Sequence, residues 1–265
     1  ARIGADMRRL GLHQGLAPVL DVTRDVRWGR TEETIGEDPY LVATVATGYV
    51  RGLESAGVVA TLKHFAGYSA SRAGRNFGPV HMGPRELADV LLLPFEMAVR
   101  DGGARSVMHA YTETDGLPAA ADPGLLTGLL RDKWGFTGTV VADYFGVSFL
   151  ELHHGLAESP VEAAAIALAA GVDVELPAVR CFGPQFVEAV RAGTVPEALV
   201  DRAAARVLRQ KIELGLLDAD WSPVPASLDG TGDAPIDGLV DLDPPAARAL
   251  AREVAEESVV LLAND

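Results

Sequence analysis

Through its first 180 residues the chain repeats one pattern: a short apolar run rich in β-branched residues, a polar residue where the run ends, then a helix with its own start signal. A strand and an amphipathic helix bury their apolar sides only against other elements. Alternating them restricts the fold to α/β architectures with parallel strands. The runs are residues 16–22 (LAPVLDV), 58–65 (VVATLKHF), 104–111 (ARSVMHAY), 139–145 (TVVADYF) and 172–176 (VDVEL). Asp38 and Pro39 read as N-cap and first helical residue of a helix that runs to Ala56 and stops at Gly57. Similar starts stand at Pro84-Arg85-Glu86, Asp122-Pro123, Ser159-Pro160 and Thr194 with Pro196. The second helix should reach Arg100 with a kink or break at Pro94, and the last should end at Leu214 before Gly215.

Repeated strand–helix units leave two candidates, a (β/α)8-type barrel or a doubly wound sheet, and in both the chemistry sits at the carboxyl ends of the strands. Five strands against the eight of a full barrel imply a TIM-like barrel that is incomplete within residues 1–217 or completed by strands upstream of Ala1. Residues 218–243 change character: seven Asp, no Lys or Arg, and frequent Pro and Gly mark a solvated linker. Residues 244–257 return to a helix pattern, and the strand-like Ser258-Val259-Val260-Leu261-Leu262 follows. Such a helix and strand cannot form a core alone. With no initiator Met, the chain is expected to be part of a longer protein whose second domain opens at residues 244–265.

Composition narrows the function. The hydrophobic fraction of 48% and charged fraction of 23% are those of a folded globular chain. Twenty-three basic against 37 acidic side chains give a net charge of −14, which repels phosphate backbones and anionic lipid surfaces. Neither nucleic acid nor a membrane is therefore an expected partner. The longest apolar stretch, residues 163–172, falls far short of a bilayer span. Cys181 is the sole cysteine, so no internal disulfide and no cysteine metal cluster can form.

Ionisable residues that close apolar runs are exposed at the rim of a parallel sheet, and four places qualify: Asp21, Lys63-His64, Met108-His109-Ala110-Tyr111 and Asp143-Tyr144. Asp143 follows the buried-type run Val140-Val141-Ala142 and precedes a turn at Phe145-Gly146, so its carboxylate can be aimed rigidly at a ligand or can cap the next element. Lys63 beside His64 suits either of two chemistries, a Schiff base with a carbonyl or hydrogen bonds to vicinal sugar hydroxyls. The loop Gly29-Arg30-Thr31-Glu32-Glu33 is too polar for a core, and Arg30 tied by neighbouring carboxylates makes a ligand clamp or a surface ion-pair cluster. Dinucleotide, P-loop and zinc-protease motifs are absent, residues 67–71 are not a nucleophile elbow, and the histidines have no metal-ligand spacing. No cofactor and no metal are expected.

Taken in order, Pro18-Val19-Leu20-Asp21-Val22, Arg27-Trp28-Gly29-Arg30 with Glu33, Gly36-Glu37-Asp38-Pro39-Tyr40-Leu41, Lys63-His64-Phe65 and Val140-Val141-Ala142-Asp143-Tyr144 resemble glycoside hydrolase family 3. Glu256-Glu257-Ser258-Val259-Val260-Leu261-Leu262 is similar to the entry into that family's second domain, an α/β sandwich. The resemblance implies a retaining exo-acting β-glycosidase in which Asp143 is the nucleophile. It further implies that Arg30, Lys63 and His64 hold sugar hydroxyls, that Met108 and Tyr111 line the same pocket, and that Tyr144 stands where many members carry Trp. The acid/base Glu is expected from the second domain, and the family's upstream sugar-binding Asp from before Ala1. The loop at residues 66–76 lacks the His-Asp pair of the N-acetylglucosaminidase branch, so a β-linked glucoside or xyloside is the expected substrate. A Schiff-base lyase using Lys63 and a non-catalytic sugar-binding domain are the competing readings.

Overall fold

The computed structural model describes residues 1–228 and 240–264. Parallel strands β1 (Gln14–Gly15), β2 (Val59–Phe65), β3 (Ser106–His109) and β6 (Thr139–Val141) form one sheet in the order β1-β2-β3-β6, and a bridge from Val141 to Val174 extends it. Strand order follows chain order. A doubly wound sheet reverses direction partway across, whereas successive strands laid down on one side are the winding of a (β/α) barrel, here an open arc. A small antiparallel hairpin, β4 (Glu113–Thr114) and β5 (Leu117–Pro118), turns at Asp115-Gly116 beside the sheet.

Each strand is shorter than its apolar run. Residues 16–22 hold only a single parallel bridge, Val19 to Lys63, and the regular pairing lies earlier, at Gln14–Gly15. Pro18 has no N–H to give a ladder, yet its carbonyl accepts from Lys63 N at 3.2 Å and so keeps the chain in register. Residues 172–176 likewise reduce to the bridge at Val174. Strand β2, flanked on both sides and buried along almost its whole length, carries the main core, where Phe65 meets Phe95 and Trp134 edge-on at 5.2 and 5.8 Å.

Three helices start where their caps were expected. Asp38 Oδ1 accepts from Leu41 N at 2.7 Å, Asp122 Oδ1 from Leu125 N at 3.0 Å and Ser159 Oγ from Glu162 N at 3.2 Å. Thr194 departs from expectation: its hydroxyl donates to the Ala189 carbonyl at 2.8 Å, and Glu197–Glu213 begins after Pro196 with no side-chain cap. Pro94 acts as expected, and the chain before it widens into a π turn over Leu87–Leu91, with Leu92 N bonded to Leu87 O. Helices Arg2–Arg9, Phe149–Leu152 and Pro184–Arg191 were not expected.

Part of the linker, residues 229–239, lies outside the described residues, and residues 218–228 and 240–244 carry one 3-10 turn, Ala226–Leu228. Helix Pro245–Glu257 forms as expected. The strand at residues 258–262 does not: these residues pair with no strand among the described residues, and Leu262 is 92% exposed. A lone strand leaves its N–H and C=O groups without partners, so β propensity here goes unrealised. Among the described residues no helix is long and apolar enough to cross a membrane.

Candidate active site

Because the strands are parallel, every run delivers its closing polar residue to the same rim. The register is locked by Leu20 N to Lys63 O and Ala110 N to Phe65 O, both 2.6 Å, and Ala142 N to Val174 O at 2.8 Å. A pocket of about 440 Å³ opens there, lined by Leu16, Arg30, Lys63, His64, Met108, Tyr111, Asp143 and Tyr144. The seven residues that the resemblance assigns to the site, Arg30, Lys63, His64, Met108, Tyr111, Asp143 and Tyr144, all line it. Lys63 and His64 are sequence neighbours, which a regular strand would point to opposite faces. The register shift between Leu62 and Phe65 re-aims them toward one pocket.

Asp143 carries the pocket's only lining carboxylate among the described residues. Its Oδ1 accepts from Tyr144 N at 2.7 Å, and its buried Oδ2 accepts no hydrogen bond from the described residues. His64 Nε2 stands 3.7 Å from that Oδ2. The turn behind Asp143 is tightly tied: Gly146 N donates to Asp143 O and Phe145 N to Leu176 O, both at 2.8 Å, and Tyr111 Oη donates to Tyr144 O at 2.8 Å. Phe145 sits at φ 64°, a left-handed conformation held by those bonds. Tyr144 is 46% exposed at the mouth.

His64 is oriented from behind. Asp21 Oδ2 accepts from His64 Nδ1 at 2.7 Å and from its backbone N at 3.2 Å, and both side chains are buried. Asp21 was visible in the sequence as a strand-end carboxylate but had no assigned part in the site; its partner lies 43 residues away, and no local pattern names it. Tyr68 was missed altogether. Wholly buried, it meets His64 edge-on at 4.9 Å and Trp28 at 5.0 Å, donates to Asn76 Oδ1 at 2.5 Å and lies 5.5 Å beneath the Arg30 guanidinium. A lone Tyr between Gly67 and Ser69 offers no signal that separates this role from ordinary core.

Arg30 is clamped by Glu33, with Nε to Oε1 at 2.5 Å and Nη2 to Oε2 at 2.8 Å. This bidentate bond raises the Arg30 pKa and lowers that of Glu33, keeping both charged. Burial, and then the positive charge of Arg30, pull the Lys63 ammonium below its usual range, while Glu33, Asp143 and Asp21 oppose the shift. Burial, then the charge of Asp143, hold the Tyr111 phenol well above its usual range, and burial pushes the Tyr68 phenol up to about 12. Both remain neutral donors at any physiological pH. His109, in the same strand-end run as Met108, does not line the pocket; its ring is buried beneath the Asp143 turn with Nδ1 2.9 Å from the Ala110 carbonyl.

A larger, mostly apolar cavity of about 570 Å³ lies between the helices of residues 160–213. Of its carboxylates, Asp173 is held by Arg131 and Arg206 and Glu175 by the backbone N–H groups of residues 180–182, while Glu197 stands exposed at the start of its helix. The rim pocket instead brings the cationic side chains of Arg30 and Lys63 and the His64 imidazole to the one carboxylate whose Oδ2 accepts no hydrogen bond from the described residues.

Relatives share this whole chain. A β-xylosidase of Formosa agariphila is 36% identical over 98% of the chain, and a periplasmic β-glucosidase of Salmonella typhimurium 35% identical over 96%. The chain spans about a third of each relative's length, 36% and 33% respectively. A β-glucosidase structure from Erythrobacter marinus superposes over the full chain with a TM-score of 0.90 at 39% identity, covering 34% of that protein. A β-glucosidase mutant of Listeria innocua in complex with laminaribiose does so with a TM-score of 0.88 at 31% identity, covering 36% of it. Residues 1–210 match the profile of the glycosyl hydrolase family 3 N-terminal domain, and the chain, α/β in fold with its strand-end pocket intact, belongs to that family.

Proposed function

We propose that this chain is the catalytic portion of a retaining, exo-acting β-glycosidase that hydrolyses terminal β-linked glucose or xylose, with Asp143 as nucleophile. The observation that carries the reading is the Asp143 carboxylate at the pocket, with Oδ1 fixed by Tyr144 N and Oδ2 accepting no hydrogen bond from the described residues. Relatives named β-glucosidase and β-xylosidase support the choice of sugars. In this scheme residues 1–217 are the barrel, 218–243 the connection and 244–265 the opening of a second domain.

Asp143 Oδ2 attacks the anomeric carbon as the bond to the leaving oxygen breaks, and an acid gives that oxygen its proton. The product is a glycosyl ester on Asp143. Water, deprotonated by the same acid now acting as base, then attacks the anomeric carbon and restores the carboxylate with net retention. A retaining enzyme needs its two carboxyl groups about 5–5.5 Å apart. Asp21 is committed to His64 and Glu33 to Arg30, and the family resemblance implies that the acid/base is a Glu of the second domain. Arg30, Lys63 and His64 supply N–H donors to ring hydroxyls, and bonds that tighten toward the oxocarbenium-like transition state raise the rate rather than affinity alone. Met108 and Tyr111 shape the pocket wall, and Tyr144 offers the sugar an aromatic edge.

The test is intact-mass spectrometry of the natural protein carrying this chain after incubation with 2-deoxy-2-fluoro β-glucosyl and β-xylosyl reagents, followed by peptide mapping. One fluoroglycosyl unit on Asp143 is expected, with none on Asp143→Asn. An adduct elsewhere, or normal turnover by Asp143→Asn, would overturn the assignment. A borohydride-stable adduct on Lys63 with a carbonyl substrate would favour a lyase instead.

A further inference from the structure

At the end of the strands opposite Asp143, the residues that lead into β1 and the segment after residue 220 border a second polar cavity. It holds about 370 Å³, and Arg8, Arg9, His13, Trp221, Ser222 and Ser227 are on its walls. The later segment is pressed close: a Cβ added at Gly11 would stand 2.7 Å from Pro225 Cγ, and Ser227 Oγ donates to the Arg9 carbonyl. Acidic side chains outnumber basic ones 37 to 23 in the chain, yet no Asp or Glu is among the described residues that line this cavity.

Arg8 and Arg9 close the helix Arg2–Arg9, where cations suit the helix dipole, and that would account for them if both were free in water. Arg8, however, is half-buried, and its Nη1 is shut off from water with no hydrogen-bond partner among the described residues. Asp6, the one carboxylate of that helix, is bonded to Arg2 at 2.9 Å and lies 3.7 Å from Arg9. The last carbonyls of the helix do not serve Arg8 either, since those of Asp6, Met7 and Arg8 accept from the N–H groups of residues 10–12. Burial, and then the charge of Arg8, pull the His13 imidazole below its usual range against a hydrogen bond at Gly11, as befits two basic groups sharing a space without an acid. A buried cationic nitrogen without an acceptor is unfavourable, and a bound anion relieves it. We propose that this cavity binds a small phosphate-bearing anion, held by Arg8, Arg9 and His13 between the helix Arg2–Arg9 and residues 221–227. The donors approach from separate segments, which suits a tetrahedral oxyanion better than a planar carboxylate, and the Ser222 hydroxyl, which accepts from Val224 N at 3.1 Å, keeps its own proton to give. The site lies apart from the Asp143 pocket and does not depend on the glycosidase reading.

Titration calorimetry and melting shifts of the natural protein carrying this chain, with inorganic phosphate and with glycerol phosphate at constant ionic strength, test the site. Three donors to one anion, each at the low end of the range for charged hydrogen bonds, correspond to a Kd of about 1 mM. Arg8→Gln and His13→Gln should each weaken binding about tenfold, and Arg8→Lys, which keeps the charge without the fork, should weaken it less than Arg8→Gln. Arg72→Gln removes an exposed cation in the loop after β2, at the other end of the strands, and should leave binding unchanged. Equal affinity for the two probes would limit the contacts to the phosphate group, and tighter binding of the ester would extend them to the remainder of the cavity. Because Arg8 has no ion pair to lose among the described residues, Arg8→Gln should melt as the wild type does in phosphate-free buffer. No binding by either method at about 20 mM phosphate, or an equal loss in Arg72→Gln, would overturn the site. So would an affinity kept in Arg8→Gln but lost once Asp143 carries a fluorosugar, which would place the anion in the rim pocket.

Discussion

Alanine at Gly146 would test whether the turn behind Asp143 sets the position of the carboxylate. A Cβ there would lie 2.5 Å from His109 Cε1, 3.1 Å from His109 Nε2 and 3.0 Å from the Asp143 carbonyl oxygen, where ordinary contact begins at 3.4 Å. His109 has little room to retreat, being wholly buried with Nδ1 on the Ala110 carbonyl. The turn must give way by about 1 Å, an overpacking that costs about 1–3 kcal/mol of stability. A displacement of that size at a reacting group costs about 100-fold in rate. We expect Gly146→Ala to lower kcat on an aryl β-glycoside, and the rate of fluorosugar labelling of Asp143, by about that factor. His109→Ala in the same background removes the two contacts to the imidazole and leaves only the one to the Asp143 carbonyl. The double variant should recover about tenfold of the loss, a coupling within the range of about 0.5–3 kcal/mol found for touching residues. Melting temperature measured alongside kcat separates unfolding from misplacement. A Gly146→Ala enzyme within about threefold of wild-type kcat, or two substitutions whose costs simply add, would refute the reasoning.

Other perturbations report on the surrounding structure. Asp21→Asn replaces a charged acceptor of two His64 hydrogen bonds by a neutral one, a difference of about 1.5–3 kcal/mol, so kcat/KM should fall about 10- to 150-fold; steady-state kinetics on a folded variant check it. His109 and His154 have pKa values lowered first by burial, so below pH 6.5 the unfolded chain binds protons that the folded chain refuses. Stability is complete above that pH and declines as pH falls through it, which melting curves between pH 8 and pH 5 would show, with a shallower decline in His154→Gln. Asp173 is buried between Arg131, whose own pKa burial drives down to about 10, and Arg206. Asp173→Asn strands two guanidinium groups and should cost about 3–5 kcal/mol in denaturant unfolding.

Much of the site could be read from the chain. A polar residue closing an apolar run is a local pattern, and it brought Asp21, Lys63-His64, the run 108–111 and Asp143-Tyr144 to one rim without knowledge of how the strands pair; the choice of Met108 and Tyr111 within that run came from the family resemblance, and His109 beside them is buried away from the pocket. Helix starts at Asp38, Asp122 and Ser159 were equally legible, because a cap is made within three residues of itself. Strand lengths were not, since a run such as residues 16–22 becomes strand only where a neighbour offers matching N–H and C=O groups, and Pro18 withholds one of them. Residues 258–262 fail for the same reason: their propensity is strand, and the described residues give them no partner.

What the sequence determined by itself is which side chains are present and which end of each strand they close, since both follow from local burial and turn chemistry. Which of them touch was decided by the tertiary structure. The contact of Asp21 with His64 spans 43 residues, and the 3.7 Å approach of His64 to Asp143 joins segments from opposite sides of β3. Parallel pairing sets those distances through the register of β2 against the Val19 bridge and against β3, and register is a property of two strands together, carried by neither alone.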